Sequence, residues 1–424
     1  MLVDMKVSLA TEMAPPFALV AHFFIAGVFF LFCSGISLLF LSGEITSYFV
    51  SPLFAAFAHL YLLGFVMMII FGAAYQLLPV VLEAPIFSKD FAYVQFYMYA
   101  VGFMMMISGF LFGSLSLLIP YGATITYLSM LIFCVNIFLT FQRLEKINFI
   151  GKFLLVATIF LFISVTIGLI MGFVMGHGAF DIDLLSWIKA HIVGTLGGFV
   201  MMVIMGVAMV LIPMFSLAHG FNDKWIKYAF YMNILGVTLS ILSFISGAST
   251  LLSALSLSLI ALAMVLFAIQ IGAMLKSRAR KQNDYWVKNI VFATISLVVS
   301  IMLVLVGFIF DLQNFALAGG CLFFFGFLLC FVVGHIYKIL PFLIWYDKFA
   351  PLVGKQKVPL LHQMIKTKVA DFQTLSLFIA TILQVLAILM GIQILFLIGA
   401  FIMLLSIVLV VYNTWFTFTY TIKE

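Results

Sequence analysis

One phrase recurs three times in this chain, each time inside a long apolar run. It reads G-F, six residues, G, four residues, two aliphatics, P. The copies run from Gly64-Phe65 through Gly72 to Leu77-Leu78-Pro79, from Gly198-Phe199 through Gly206 to Leu211-Ile212-Pro213, and from Gly326-Phe327 through Gly334 to Ile339-Leu340-Pro341. Their first glycines lie 134 and 128 residues apart (198 − 64 and 326 − 198). Identical internal offsets at near-even spacing indicate three related units. Glycines on such runs let helices approach closely, and the closing proline should end or kink each helix.

The solvent for these units is lipid. Of 424 residues, 66% are apolar and 8% charged, a composition that excludes a soluble domain. The net charge of +6 is no nucleic-acid signal, because the charges sit between apolar runs. Cys33, Cys134, Cys321 and Cys330 form no C-x-x-C and no C-x-x-C-H, so neither a disulfide framework nor covalently attached haem is expected. The first apolar run is longer than a signal-peptide core and reads as a retained helix.

Twelve spans reach bilayer length, at roughly 16–41, 53–80, 91–114, 118–141, 153–175, 187–215, 228–247, 250–275, 288–310, 314–345, 372–392 and 395–419. None alternates like a membrane barrel strand. Cations concentrate after the even spans: Arg143, Lys146 and Lys152; Lys224 and Lys227; Lys276, Arg278, Arg280, Lys281 and Lys288; Lys348, Lys355, Lys357, Lys366 and Lys368. The opposite loops hold little more than Lys189. This asymmetry puts both termini on the cytoplasmic side of a bacterial cytoplasmic (inner) membrane.

The repeated phrase then falls on spans two, six and ten, each the second helix of a four-helix unit. The expected fold is all-α transmembrane: a twelve-helix bundle of three pseudo-symmetric four-helix units, approximately 16–141, 153–275 and 288–419, within one integral membrane domain covering 1–424. Spans two, six and ten should line its inside.

Four histidines lie within apolar spans: His22, His59, His191 and His335. An ionisable side chain in a bilayer is costly and is by default a functional candidate. Neutral imidazole is a common haem-iron ligand. The plainer alternative is an interface histidine bonded to a neighbouring carbonyl. His59 and His191 precede the first glycine of their phrase by five and seven residues, whereas His335 follows it by nine. An offset of about fifteen residues is roughly 20 Å along a helix, so depth favours His22 with His335 and His59 with His191. His177, His219 and His362 read as loop residues. Lys338, three residues after His335, could meet a carboxylate such as a haem propionate or reach to the cytoplasm. Met67-Met68 and Met201-Met202 read as adaptable packing before they read as a Cu(I) site.

These residues carry a resemblance. Twelve spans with histidine at the start of span two resemble the catalytic subunit of haem-copper oxidases and nitric oxide reductases. The run from His59 to Gly72-Ala73-Ala74-Tyr75-Gln76-Leu77-Leu78-Pro79 is similar to the second helix of the nitric oxide reductase large subunit. Pro15-Pro16-Phe17 and the G-F pattern are also similar to the NnrS membrane proteins. The resemblance implies a low-spin haem ligand at His59 and a remnant metal ligand at His191. It departs at span seven, which lacks the family's paired copper histidines, and at span ten, where His335 stands deeper than the family's H-x-H. A dioxygen-reducing copper centre is therefore not expected.

The expectation is a protein that binds one or two b-type haems, without copper, through some of His22, His59, His191 and His335. Lys338 would lie beside the cofactor. Electron transfer, haem handling, or a nitric oxide or metal response would follow, with membrane lipid and a quinol or cytochrome redox partner. A cofactor-free transporter is the alternative, and a terminal oxidase or reductase a third.

Overall fold

A computed structural model describes residues 15–44 and 51–422; the chain termini, whose side of the membrane the cation pattern assigns, lie outside them. Among the described residues there is no β-strand, and twelve helices are long and apolar enough to cross a membrane. In chain order they are α1 (Phe17–Gly43), α2 (Pro52–Leu82), α3 (Lys89–Leu111), α4 (Leu118–Gln142), α5 (Phe149–His177), α6 (Leu184–Ser216), α7 (Lys224–Ser246), α8 (Thr250–Lys276), α9 (Tyr285–Ile309), α10 (Gln313–Lys348), α11 (Thr367–Met390) and α12 (Gln393–Phe418). The chain is thus a multi-pass membrane protein.

Several helices begin earlier than their apolar runs. Lys152, Lys224, Lys227, Lys288 and Lys368 lie inside first turns, where the sequence suggested loops. Polar caps extend two of these helices, α5 and α9, past the hydrophobic boundary. Asn148 Oδ1 accepts from the Gly151 amide at 2.7 Å, and Asp284 Oδ1 accepts from the Val287 amide at 3.1 Å.

The repeated prolines do not end their helices. Pro79, Pro213 and Pro341 all lie within continuing helix. What breaks the regular winding lies more than three turns earlier. Each of α2, α6 and α10 carries an eight-residue π-helical segment, at Leu60–Met67, Val193–Val200 and Leu322–Leu329. Each includes the G-F pair that opens the phrase. Such wide turns are uncommon and often mark functional sites. α2 and α6 also give way to the same backbone state at the same offset. Glu83 and Leu217, each nineteen residues past the first glycine (83 − 64 and 217 − 198), have φ of 52° and 53°.

Contacts divide the chain into two units, Met1–Phe23 with Ile70–Arg280, and Phe24–Ile69 with Lys281–Glu424. Within the first, α3 and α4 touch through their backbones. A Cβ on Gly102 would stand 2.5 Å from the Thr126 nitrogen, and one on Gly122 2.5 Å from that of Met106. A small cavity of about 10 Å³, lined by Ile70, Phe133, Leu154 and Phe199 among others, leaves no more room there than for one water.

One polar device recurs near the start of α3, α7 and α11. Asn136 on α4 accepts from the Ser88 amide at 2.9 Å and donates to the Ser88 carbonyl at 2.9 Å. Gln270 on α8 accepts from the Ile226 amide at 3.3 Å and donates to the Asn222 carbonyl at 3.0 Å. Asn413 on α12 accepts from the Lys366 amide at 3.0 Å and donates to its carbonyl at 3.4 Å. Each amide satisfies backbone groups that a helix start leaves without partners in its own ladder. One helix turn beyond two of the clamps, Thr140 accepts from the Phe87 amide at 2.9 Å and Thr417 donates to the Met364 carbonyl at 2.9 Å.

Candidate functional site

All four intramembrane histidines turn Nδ1 to a backbone carbonyl. His22 Nδ1 lies 2.6 Å from Ala18 O, His59 Nδ1 2.7 Å from Ala55 O, His191 Nδ1 2.9 Å from Ser164 O, and His335 Nδ1 2.7 Å from Phe331 O. A carbonyl only accepts, so Nδ1 must carry the proton in each ring. The neutral ring then presents Nε2 as its lone-pair atom. That is the tautomer a metal-bound imidazole uses, its other nitrogen oriented by a carbonyl. Three of these bonds stay within their own helix, four residues back; His191 reaches from α6 to α5.

His191 has a slot shaped for it. Gly168 on α5 faces the ring, and a Cβ there would stand 2.8 Å from His191 Cε1. His59 lies at the last α-helical position before the π segment of α2. Two residues on, the Tyr61 hydroxyl donates to the Phe324 carbonyl of α10 at 2.6 Å. Both helices are even-numbered spans and run in the same sense. His59 is therefore level with about residue 322, and His335 stands about 20 Å further along. Two imidazoles that far apart cannot ligate one iron.

His335 is buried, its ring centroid 4.4 Å from that of Phe331 and 6.1 Å from the edge-on indole of Trp286. One turn on, Lys338 Nζ pairs with Asp284 Oδ2 at 2.7 Å, the side chains only 13% and 11% exposed. The ammonium also stands 5.3 Å from the Tyr285 ring centroid and 5.9 Å from that of Trp286. The carboxylate that Lys338 meets in this structure is thus that of Asp284, which also caps α9. This level is the start of α9. α10, with 36 residues, is about 54 Å long and exceeds a hydrocarbon core of about 30 Å, so its last ten residues pass beyond the pair. Behind it, the Tyr337 hydroxyl donates to Gln373 Oε1 at 3.1 Å, and Gln373 Nε2 donates to Ser406 Oγ at 2.9 Å. Tyr75, at the matching phrase position, donates to Gln95 Oε1 at 3.3 Å.

His22 is different in setting. It is half-buried and edged by three aromatic rings of α3: Phe96 at 5.4 Å, Tyr93 at 6.1 Å and Tyr97 at 6.2 Å, all near-perpendicular. His177 is the exposed last residue of α5, not a loop residue, beside Tyr121 and Phe173. His219 and His362 are exposed. Among the described residues no three His, Cys, Asp or Glu side chains converge as a metal-holding group.

Sequence reasoning missed Asp284, Tyr285, Trp286 and Gln373. Asp284 had a signal: an acidic residue directly before an apolar run is a helix cap. Its pairing with a lysine 54 residues away had none.

No protein-family model matches the chain, and no curated protein matches it in sequence.

Proposed function

We propose that this is a haem-b-binding protein of the bacterial cytoplasmic membrane. It would be built of three pseudo-symmetric four-helix units and resemble a haem-copper oxidase subunit or an NnrS protein without the paired copper histidines. The three amide clamps, three π segments and matched phrases support the three-unit reading. The observation that carries the haem reading is the shared geometry of His22, His59, His191 and His335: each turns Nδ1 to a backbone carbonyl, the orientation used by an imidazole that ligates metal through its other nitrogen. That donor set fits one or two b-type haems. Bound haem would supply one-electron redox chemistry, consistent with electron transfer, haem handling, or a nitric oxide or metal response. The protein's own part would be to orient the imidazoles and keep them in an apolar surround. Lys338 and Asp284 would offer a charged but internally neutralised edge near His335.

The test is an absorption spectrum of purified protein with a pyridine haemochrome assay. A sharp reduced α-band of b-type, lost on substitution of a ligand histidine by alanine, is the expected result. A haem-free preparation from haem-replete cells overturns it. That outcome would leave the transporter reading, which the π-broken helices α2, α6 and α10 favour as movable elements.

A further inference from the structure

The connection from α10 to α11 departs from the repeat. Six residues (83–88) join α2 to α3 and seven (217–223) join α6 to α7, but eighteen (349–366) join α10 to α11. The excess is eleven or twelve residues (18 − 7 and 18 − 6) between helices that otherwise match. A connection this long inside a packed structure is either slack or functional. This one is not slack. Ala350–Leu352 and Leu361–Met364 are short 3-10 turns. Trp345 Nε1 donates to the Pro359 carbonyl at 2.7 Å, Gln363 Oε1 accepts from the Leu360 amide at 2.8 Å, and Thr417 Oγ1 donates to the Met364 carbonyl at 2.9 Å. Phe349, Met364 and Ile365 are buried beneath it.

Its outward side mixes two kinds of residue. Val353 is 55% exposed, Leu360 60% and Leu361 44%, and the exposed Lys355 and Lys357 stand between them. Residues 349–366 contain Lys355, Lys357 and Lys366 and no acidic residue. The ion pairs among the described residues use Lys227, Lys288 and Lys338, so no carboxylate neutralises the loop.

Two bonds set its level. The Trp345 contact holds Pro359, and with it Leu360 and Leu361, beside the last turns of α10, where Phe342 and Tyr346 are exposed four residues apart. The Thr417 contact holds Met364 beside the end of α12, two residues past the widely exposed Trp415. Exposed aromatic rings at the ends of membrane helices lie among the lipid headgroups. Aliphatic side chains bared at that level enter the boundary between headgroups and acyl chains, and lysines beside them gain from a negatively charged surface.

We infer that residues 349–366 form a surface loop that docks on anionic phospholipid. Val353, Leu360 and Leu361 enter the headgroup boundary, and Lys355 and Lys357 meet headgroup phosphates. An anionic lipid is favoured over a zwitterionic one because the loop carries positive charge that the protein itself does not cancel. The inference rests neither on the haem reading nor on the side of the membrane given to the termini.

The test places the full chain in lipid nanodiscs of phosphatidylcholine alone, or with about 30% phosphatidylglycerol as the anionic lipid. A nitroxide at Val353→Cys, in a background with the half-buried Cys33 replaced by alanine, reports collisions with dissolved oxygen and with a water-soluble nickel chelate. The oxygen-to-nickel ratio should rise at least about threefold in the anionic discs and fall with added salt. Lys355→Gln with Lys357→Gln should abolish the rise. Lys276→Gln with Lys281→Gln, an equal loss of charge in another loop, should leave it in place. A label at Leu361→Cys repeats the measurement if V353C disturbs the turn. Equal ratios in the two lipid mixtures would overturn the proposal, as would an undiminished rise in K355Q/K357Q. An equal fall in K276Q/K281Q would also overturn it and assign the attraction to the whole cationic face. A label open to nickel in both mixtures would overturn it and leave the apolar residues to a soluble protein partner.

Discussion

The Tyr61 hydroxyl donates to the carbonyl oxygen of Phe324 at 2.6 Å, joining the π segment of α2 to that of α10. A π turn winds more widely than an α turn and presents its carbonyls to outside donors. Asn233 Nδ2 uses the same opportunity at Gly197 O of α6, at 2.8 Å, and Cys330 Sγ at Phe325 O, at 3.4 Å. The wide turns of α6 and α10 are thus answered by side chains placed for them, one of which, Tyr61, comes from the wide turn of α2. Tyr61→Phe should keep the ring packing and lose one bond, costing about 0.5–1.5 kcal/mol. Its denaturation midpoint in SDS-detergent mixtures would report that loss; an unchanged midpoint would show the bond to be dispensable.

The Lys338–Asp284 pair predicts an asymmetry. Removing one partner of a buried pair strands the other charge, at about 3–5 kcal/mol. Lys338→Met should therefore destabilise strongly, while K338M combined with Asp284→Asn, which retains a capping side chain, should recover most of the loss. Thermal unfolding of the three variants in detergent checks this. A double variant no better than K338M would mean that the ion pair is not the source of the cost.

Gly168 tests the setting of His191. Gly168→Ala would bring a methyl to 2.8 Å from His191 Cε1 and push the ring off Ser164 O. In a haem-loaded preparation the expected sign is a shifted or weakened α-band with helix content preserved. If the spectrum is unmoved, His191 is not an iron ligand.

The α3–α4 contact has no such latitude, because the atoms facing Gly102 and Gly122 are backbone. Gly122→Ala should cost at least about 1–3 kcal/mol by overpacking, visible as lower yield and a lower unfolding midpoint. Gly113, whose Cβ would meet nothing within 4 Å, is the control and should tolerate alanine.

Asp183 supplies a pH dependence outside the membrane. It precedes α6 and accepts from Ser186 Oγ at 2.6 Å and from the Leu185 amide at 3.2 Å. The Ser186 hydroxyl first, then the Ser186 and Leu185 amides and Lys189, hold its carboxyl below the ordinary value of 3.8. A carboxyl depressed in the folded state contributes stability that is complete above its unfolded pKa and lost as pH falls through the folded one. Stability should therefore drop below about pH 4, and Asp183→Asn should flatten that part of the profile. Unfolding midpoints across pH 2.5–6 measure it; identical profiles would count against a role for this carboxylate.

Much of the fold was legible because hydrophobic length is a one-dimensional property. The spans read at 16–41, 118–141 and 250–275 match the structure within a residue or two at each end. The starts of α5, α7 and α11 were missed by about four residues, because Lys152, Lys224 and Lys368 read as loop charges in the sequence although they lie in first helical turns. The π segments were not legible, since Gly-Phe suits an α-helix or a wide turn equally well. Of the candidate site, the histidines stood out by type alone. Their shared Nδ1 contacts did not, nor did the answer of Asp284 to Lys338, since both depend on which atoms folding brings together.

The π segments also set an angular phase. One extra residue in a helix turns everything beyond it by about 100°. Deleting a single residue from Leu60–Met67 or Leu322–Leu329 would leave length and hydrophobicity almost untouched. It would nevertheless swing Tyr75 away from Gln95, or Tyr337 away from Gln373. The wide turns therefore act as indexing marks: they let the two ends of one rod address different neighbours.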